Sequence, residues 1–306
     1  MNYSKISEII SLIIICIFTI WLVWYISNNS DNFISMKNIS IHSIIILSIF
    51  YLLTLILNGL YTKVILRSFY INLGFIEWFG TSVVTTMGNI LMPFRAGAGL
   101  KAVYLKMHHN LSISYFLSTL SSVYIFNLIV FSFLGIISLL YLFSINDVFR
   151  VIIFFIAILF ISIACIIIKP LINEDSVFPL NKLAKIVKGW NLIRNNKLLI
   201  TKLIFITVLL ACFDIIRLYI CFNAINVSIS IWIIILITSV LSLSSLINLT
   251  PGSFGVHETI TIFLGSIFNY SSAEALLVHM LLRGIFLIEI LIFGPIFMRL
   301  LIKKIK

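Results

Sequence analysis

Stretches of about 20 apolar residues recur along this chain, and no other feature limits its fold so strongly. Ile9 to Ile26, Ile41 to Tyr61, Ser114 to Phe143, Phe149 to Lys169, Leu203 to Ile225 and Ala275 to Ile302 each approach or exceed that length. A helix rising about 1.5 Å per residue crosses the hydrocarbon core of a bilayer with such a stretch. Of the 306 residues, 61% are hydrophobic and 10% charged, and the mean hydropathy is +1.20. A water-soluble domain of this size cannot hide that much apolar surface, so the expected fold is an all-α, polytopic helical membrane protein forming a single domain over residues 1–306. The first stretch follows a single early lysine and no small-residue cleavage site comes after it, so a retained anchor is expected rather than a signal peptide. Cys16, Cys165, Cys212 and Cys221 all lie in apolar stretches without metal-like spacing and read as packing residues.

Two further segments, Phe75 to Met92 and Ile229 to Thr250, are long enough to enter a membrane but carry many small polar residues. They read "TSVVTTMGNILMP" and "TSVLSLSSLINLTP", each with an asparagine shortly before a proline, Asn89 before Pro93 and Asn248 before Pro251. Both then run into glycine, Gly97 in one case and Gly252 and Gly255 in the other. Small polar residues let helices approach closely inside a bundle, so both segments are expected in the interior. Paired, interrupted segments are the pattern of inverted-topology transporters, in which broken helices meet near the midplane. The halves would be residues 1–170 and 203–306, joined by a basic loop over 171–202.

The basic residues set an orientation. If Phe75 to Met92 dips in and returns through "MPFRAGAG", then Lys5, Lys63, Arg67, Arg95, Lys101, Lys106, the group from Lys169 to Lys202 and the tail from Arg299 to Lys306 share one face. Lys37 and Arg150 fall on the other. The basic face is expected to be cytoplasmic, which puts both termini there and the protein in the plasma or inner membrane. "GLKAVYLKMHHNL" and "PLNKLAKIVKGWNLIRNNK" both read as helices lying on anionic lipid, the first with Leu100, Tyr104, Met107 and Leu111 on its apolar stripe. The net charge of +11 is then a membrane-surface feature and not a nucleic-acid footprint.

"NILMPFRAGAGLK", through Asn89, Pro93, Arg95, Gly97 and Lys101, and "PGSFGVHE", through Pro251, Gly252, Gly255 and Glu258, together resemble two elements of the lysylphosphatidylglycerol synthase/flippase transmembrane-region family. Arg283 fits an arginine of that family's last long helix. Ala98 stands where the family usually has glutamate, which separates this chain from any role of the first element that needs a carboxylate. The resemblance implies a protein that moves a phospholipid, aminoacylated or otherwise, between leaflets. The chain reaches Lys306 just past its last apolar helix, so the soluble aminoacyl-transfer domain of bifunctional members is not expected here.

Charges at membrane depth cost about 2.5 to 3.5 kcal/mol each, so those that occur are candidate site residues. Asp214 and Arg217 share a helical face at i, i+3, either neutralising each other or gripping a zwitterionic head group. Glu258 falls at the third position of a helix restarting after Gly255, where it caps backbone amides; burial would further require a cation such as Arg283 or Arg95. Arg95, beside the first proline, is suited to bidentate phosphate binding, or else is a topology anchor. The expected substrate-binding set is Asn89, Arg95, Asp214, Arg217, Glu258 and Arg283. No catalytic residue, cofactor or metal is expected: "HETIT" lacks the second histidine of a zinc-protease motif. A phosphatidylglycerol lysyltransferase-like enzyme and a non-catalytic subunit are the alternatives. A separate lipid synthase or glycosyltransferase stands as candidate protein partner.

Overall fold

The computed structural model describes residues 39–92, 95–142, 148–168, 180–245 and 250–305. The expected anchor Ile9 to Ile26, Lys5, Lys37, Pro93 and Asn248 lie outside the described residues. Among those described there are ten α-helices and no strand. They are α1 (Ile41–Leu66), α2 (Phe75–Leu91), α3 (Ala96–His109), α4 (Ile113–Tyr141), α5 (Val148–Ile167), α6 (Leu180–Arg194), α7 (Lys197–Ala224), α8 (Ile231–Ser244), α9 (Val256–Phe268) and α10 (Ser272–Ile305). Four spans, Ile41–Phe69, Ile113–Tyr141, Lys197–Ala224 and Ser272–Lys304, are long and apolar enough to cross a membrane.

Helix starts follow from capping chemistry. Ser40 Oγ accepts from the Ser43 N–H at 3.2 Å, Ser112 Oγ from Tyr115 at 3.3 Å and Asn196 Oδ1 from Leu199 at 3.0 Å. Each cap satisfies a backbone donor that the helix leaves without a partner. Along α1, Ile45, Ile49 and Leu53 are exposed, and along α10 so are Ile288, Ile292 and Ile296. An apolar row at i, i+4 left uncovered over this length is a lipid-facing surface.

The chain runs twice through one pattern: a long helix, two short helices around a break, and a second long helix. The first pass is α1, α2–α3 and α4; the second is α7, α8–α9 and α10. The packing is reciprocal, because α2 lies chiefly against α10 and α8 chiefly against α4, while α1 lies against α7. Small residues allow such approaches: a Cβ at Gly294 of α10 would come 2.3 Å from the Met87 sulfur of α2.

Helix α3, whose expected apolar stripe is Leu100, Tyr104, Met107 and Leu111, folds back along α2. It buries Gly97, Ala102, Tyr104 and Leu105, and it leaves Leu100 and Met107 exposed. Close backbone contact at Gly97 decides this over the hydrophobic stripe. In α6 the buried side is Ala184, Trp190 and Ile193, with Leu183 exposed; Trp190 Nε1 donates to the Cys165 carbonyl at 3.2 Å.

Candidate functional site

Helices α2 and α3 form an antiparallel hairpin. At its open end Glu77 of α2 meets Tyr104 and His109 of α3, at 3.3 and 3.1 Å. At its tip Gly88 abuts Gly97: a Cβ on Gly97 would lie 2.7 Å from the Asn89 amide nitrogen and would overlap the Thr85 carbonyl oxygen. Arg95 begins α3 in the left-handed region, φ 53°. Its guanidinium donates to the Ser245 carbonyl and, at 3.3 Å, shares the Ser245 hydroxyl. It also lies 5.2 Å from the centre of the Tyr124 ring.

Ser245 follows α8, and the break after it ends in a tight turn. Thr250 Oγ1 donates to the Phe254 carbonyl at 2.8 Å, while Gly252, Ser253 and Gly255 have φ of 56°, 55° and 82°. Glycine adopts such angles without steric cost, which explains its presence at two of the three. Phe268 of α9 packs in one cluster with Leu236 of α8, so α8 and α9 also double back on each other. The tips of the two hairpins meet, since Arg95 reaches Ser245 and the Gly252 turn sits against Ile90.

The open ends of the hairpins lie at opposite ends of the bundle. Glu77 is 3.8 Å from Lys304 near the end of α10, and Phe69 after α1 packs on Tyr115 near the start of α4, with ring centres 5.5 Å apart. At the other extreme, Ser138 near the end of α4 donates to the Trp232 carbonyl of α8 at 2.6 Å, and Phe222 near the end of α7 meets Tyr270.

Glu258 occupies the third position of α9, as its spacing from Gly255 requires. One carboxylate oxygen accepts the Gly255 N–H at 2.9 Å; the other lies 3.0 Å from Arg283 Nε. Arg283 also donates to the Ser253 carbonyl at 3.1 Å and covers the Phe254 ring at 3.9 Å. One guanidinium thereby ties the turn to α10. Asp214 and Arg217 form an ion pair on α7, and Arg217 stacks 4.1 Å over Tyr51 of α1. His279 meets Thr261 at 2.7 Å, and the Thr261 hydroxyl donates to the His257 carbonyl at 2.9 Å.

Two cavities, of about 300 and 340 Å³, adjoin along Asn58 and Thr86. Asn89, Arg95 and Lys101 face the first, where Lys101 Nζ lies 2.5 Å from Thr62 Oγ1. Thr85 Oγ1 and Asn89 Oδ1 also border it, buried and without a hydrogen-bond partner. Ala98 lines this cavity too, and among the described residues no acidic one contributes to the lining. Asp214, Arg217 and Arg283 border the second cavity, with Arg217 Nε and Arg283 Nη1 lacking partners. Its acidic group, Asp214, is already paired with Arg217. Buried polar atoms left unsatisfied favour a polar occupant, and here the spare groups include two guanidinium donors in the second cavity and a hydroxyl and an amide oxygen in the first.

The two cavities bring together Asn89 with Arg95, and Asp214 and Arg217 with Arg283; Glu258 stands behind Arg283. Lys101, Asn58 and Thr86 were not singled out as site residues from sequence. Lys101 was legible only through its place in the first element, among Gly97, Ala98 and Ala102, whose small side chains let this part of α3 sit deep. At the open end of the first hairpin, outside the spanning helices, burial alone would raise the Glu77 carboxyl. The Gly74 N–H, the Lys304 ammonium and His109 outweigh it and hold that group below the ordinary carboxylate range.

Fold and site together define a polytopic helical membrane protein in which two broken hairpins meet beside a polar interior. The chain belongs to the family described as the lysylphosphatidylglycerol synthase TM region, whose model matches residues 8–294. None of the curated proteins matches it.

Proposed function

We propose that this protein is a lipid translocase, moving a phospholipid or a related lipid head group across the membrane between the two hairpin tips. The observation that carries the reading is the pair of adjoining cavities at the point where the tips meet, lined by Arg95, Lys101, Arg217 and Arg283 and by several unsatisfied polar atoms. Irregular backbone at membrane depth persists where it is buried in protein or lines a wet cavity, and half-helix ends there bind charged cargo. In this reading both hairpins are re-entrant and belong to inverted halves, residues 1–170 and 203–306. Arg95 and Lys101 take the phosphate, with Asn89 beside them. Asp214, Arg217 and Arg283 hold the charge balance of the second cavity, and Glu258 exchanges Arg283 for a cationic part of a zwitterionic head group.

The gathering of Arg67, Lys202, His108, His109 and Lys304 at one end of the bundle supports a cytoplasmic assignment of that end in the plasma or inner membrane, on anionic lipid. A separate lipid synthase or glycosyltransferase would supply the cargo. The Thr261–His279 contact does not favour a transferase, because the threonine proton is directed to a carbonyl and the imidazole is left to donate to the oxygen.

Purified protein in liposomes containing a head-group-labelled phospholipid tests the reading. The expected result is that an impermeant reagent outside quenches label from the inner leaflet faster than in protein-free vesicles, with every lipid mass unchanged. Equal rates overturn translocation, and a new lipid mass indicates the transferase. Arg95→Lys keeps the charge but loses the planar fork, so it is expected to lose most transport at unchanged protein level; normal transport would reduce Arg95 to a topology anchor.

A further inference from the structure

We infer that the open end of the first hairpin is a zinc-class divalent metal site formed by Glu77, His108 and His109. The three residues come from both legs, Glu77 from the first turn of α2 and the histidines from the last turn of α3. Their donor atoms lie within 4.8 Å of one another. Glu77 Oε1 stands 3.1 Å from His109 Nε2 and 4.0 Å from His108 Nε2. Donors about 2.0 to 2.2 Å from a tetrahedral zinc ion are separated by a little over 3 Å, so closing the set requires His108 to approach Glu77 and to turn its ring out of the 17° stack it now forms on His109, with centres 4.9 Å apart, until both nitrogens aim at one point. His108 is exposed and has that freedom.

The carboxylate is already oriented for the task. Its Oε2 accepts the Gly74 N–H at 2.7 Å, which leaves Oε1 turned toward both imidazoles, with the Tyr104 hydroxyl 3.3 Å away. Ligating carboxylates are commonly fixed by such hydrogen bonds. Two imidazoles with one carboxylate select zinc and its neighbours over magnesium or calcium, which prefer oxygen. Lys304 lies 3.8 Å from Oε2 and is a competing cation on a flexible stem. A bound ion fastens the legs of the hairpin together. The inference does not depend on translocation, because the site lies at the far end of α2 and α3 from Arg95.

The experiment uses the full-length protein in detergent, stripped with chelator and then dialysed against zinc. Wild-type protein is expected to retain one zinc per chain and to unfold at higher temperature with zinc than with calcium. His108→Ala with His109→Ala should weaken zinc binding more than about a hundredfold, beyond what an outer-shell change costs. His109→Gln keeps a hydrogen bond to Glu77 but offers an amide in place of imidazole, so it should lose zinc while keeping its zinc-free unfolding temperature. Lys304→Met removes the competing charge and should tighten binding, by about tenfold for 1.4 kcal/mol. Failure of wild-type protein to retain zinc, or equal retention by the double variant and by His109→Gln, overturns the site and leaves a hydrogen-bonded clasp alone.

Discussion

Glu258 meets two demands at once, closing the first turn of α9 through the Gly255 N–H and neutralising Arg283 across to α10. The first role was legible in the spacing from Gly255. The second followed from the cost of burying a carboxylate, which required a cation that the sequence could name but not orient. Both side chains are largely buried, at 6% and 16% exposure. Removing one partner leaves the other charge without compensation, which costs about 3 to 5 kcal/mol, whereas removing both costs much less. Glu258→Gln and Arg283→Met are therefore each expected to lower the unfolding temperature in detergent sharply. The double variant should fall well short of the sum of the two, and strictly additive losses would show that the pair is not coupled. Transport separates the remaining roles: a cargo-binding Glu258 predicts that the double variant, though restored in stability, stays inactive.

At the level of elements, the long apolar helices among the described residues were readable because their length alone fixes them, with ends differing from expectation by up to six residues. The breaks were readable too, from proline and glycine following small polar text. What the residues could not disclose was the closeness of α2 and α3, which depends on backbone meeting backbone and not on any hydrophobic stripe. Gly97 tests this directly. A methyl there overlaps the Thr85 carbonyl oxygen, while a methyl on Gly99, two residues later, meets nothing within 4 Å. Gly97→Ala must push the legs apart or distort the tip that carries Arg95, and overpacking of this kind costs about 1 to 3 kcal/mol. Gly99→Ala should stabilise α3 by about 0.5 to 1 kcal/mol through the lower entropy of its unfolded chain. Opposite shifts in unfolding temperature are the expected outcome, and equal shifts would mean that the hairpin is looser than its glycine contact implies.

Across the whole molecule, the reciprocal packing of α2 on α10 and α8 on α4 sets the two hairpins at opposite ends, and this arrangement converts a charge count into a spatial statement. Lys106 lies on the exposed side of α3 and Lys188 on the exposed side of α6, while Asn226 is exposed beyond α7, at the end where Trp232 and Tyr270 gather. If the first hairpin enters and leaves by the basic end, positions 106 and 188 face the cytoplasm together and position 226 faces outside. In a background without native cysteines, single cysteines at 106 and 188 are then expected to resist an impermeant maleimide in intact cells, and that at 226 to react. Lysis should make all three reactive. Labelling of 106 from outside while 188 stays protected would mean that α2 crosses the bilayer and α3 lies beyond it, and both the re-entrant assignment and the inverted halves would fall with that result.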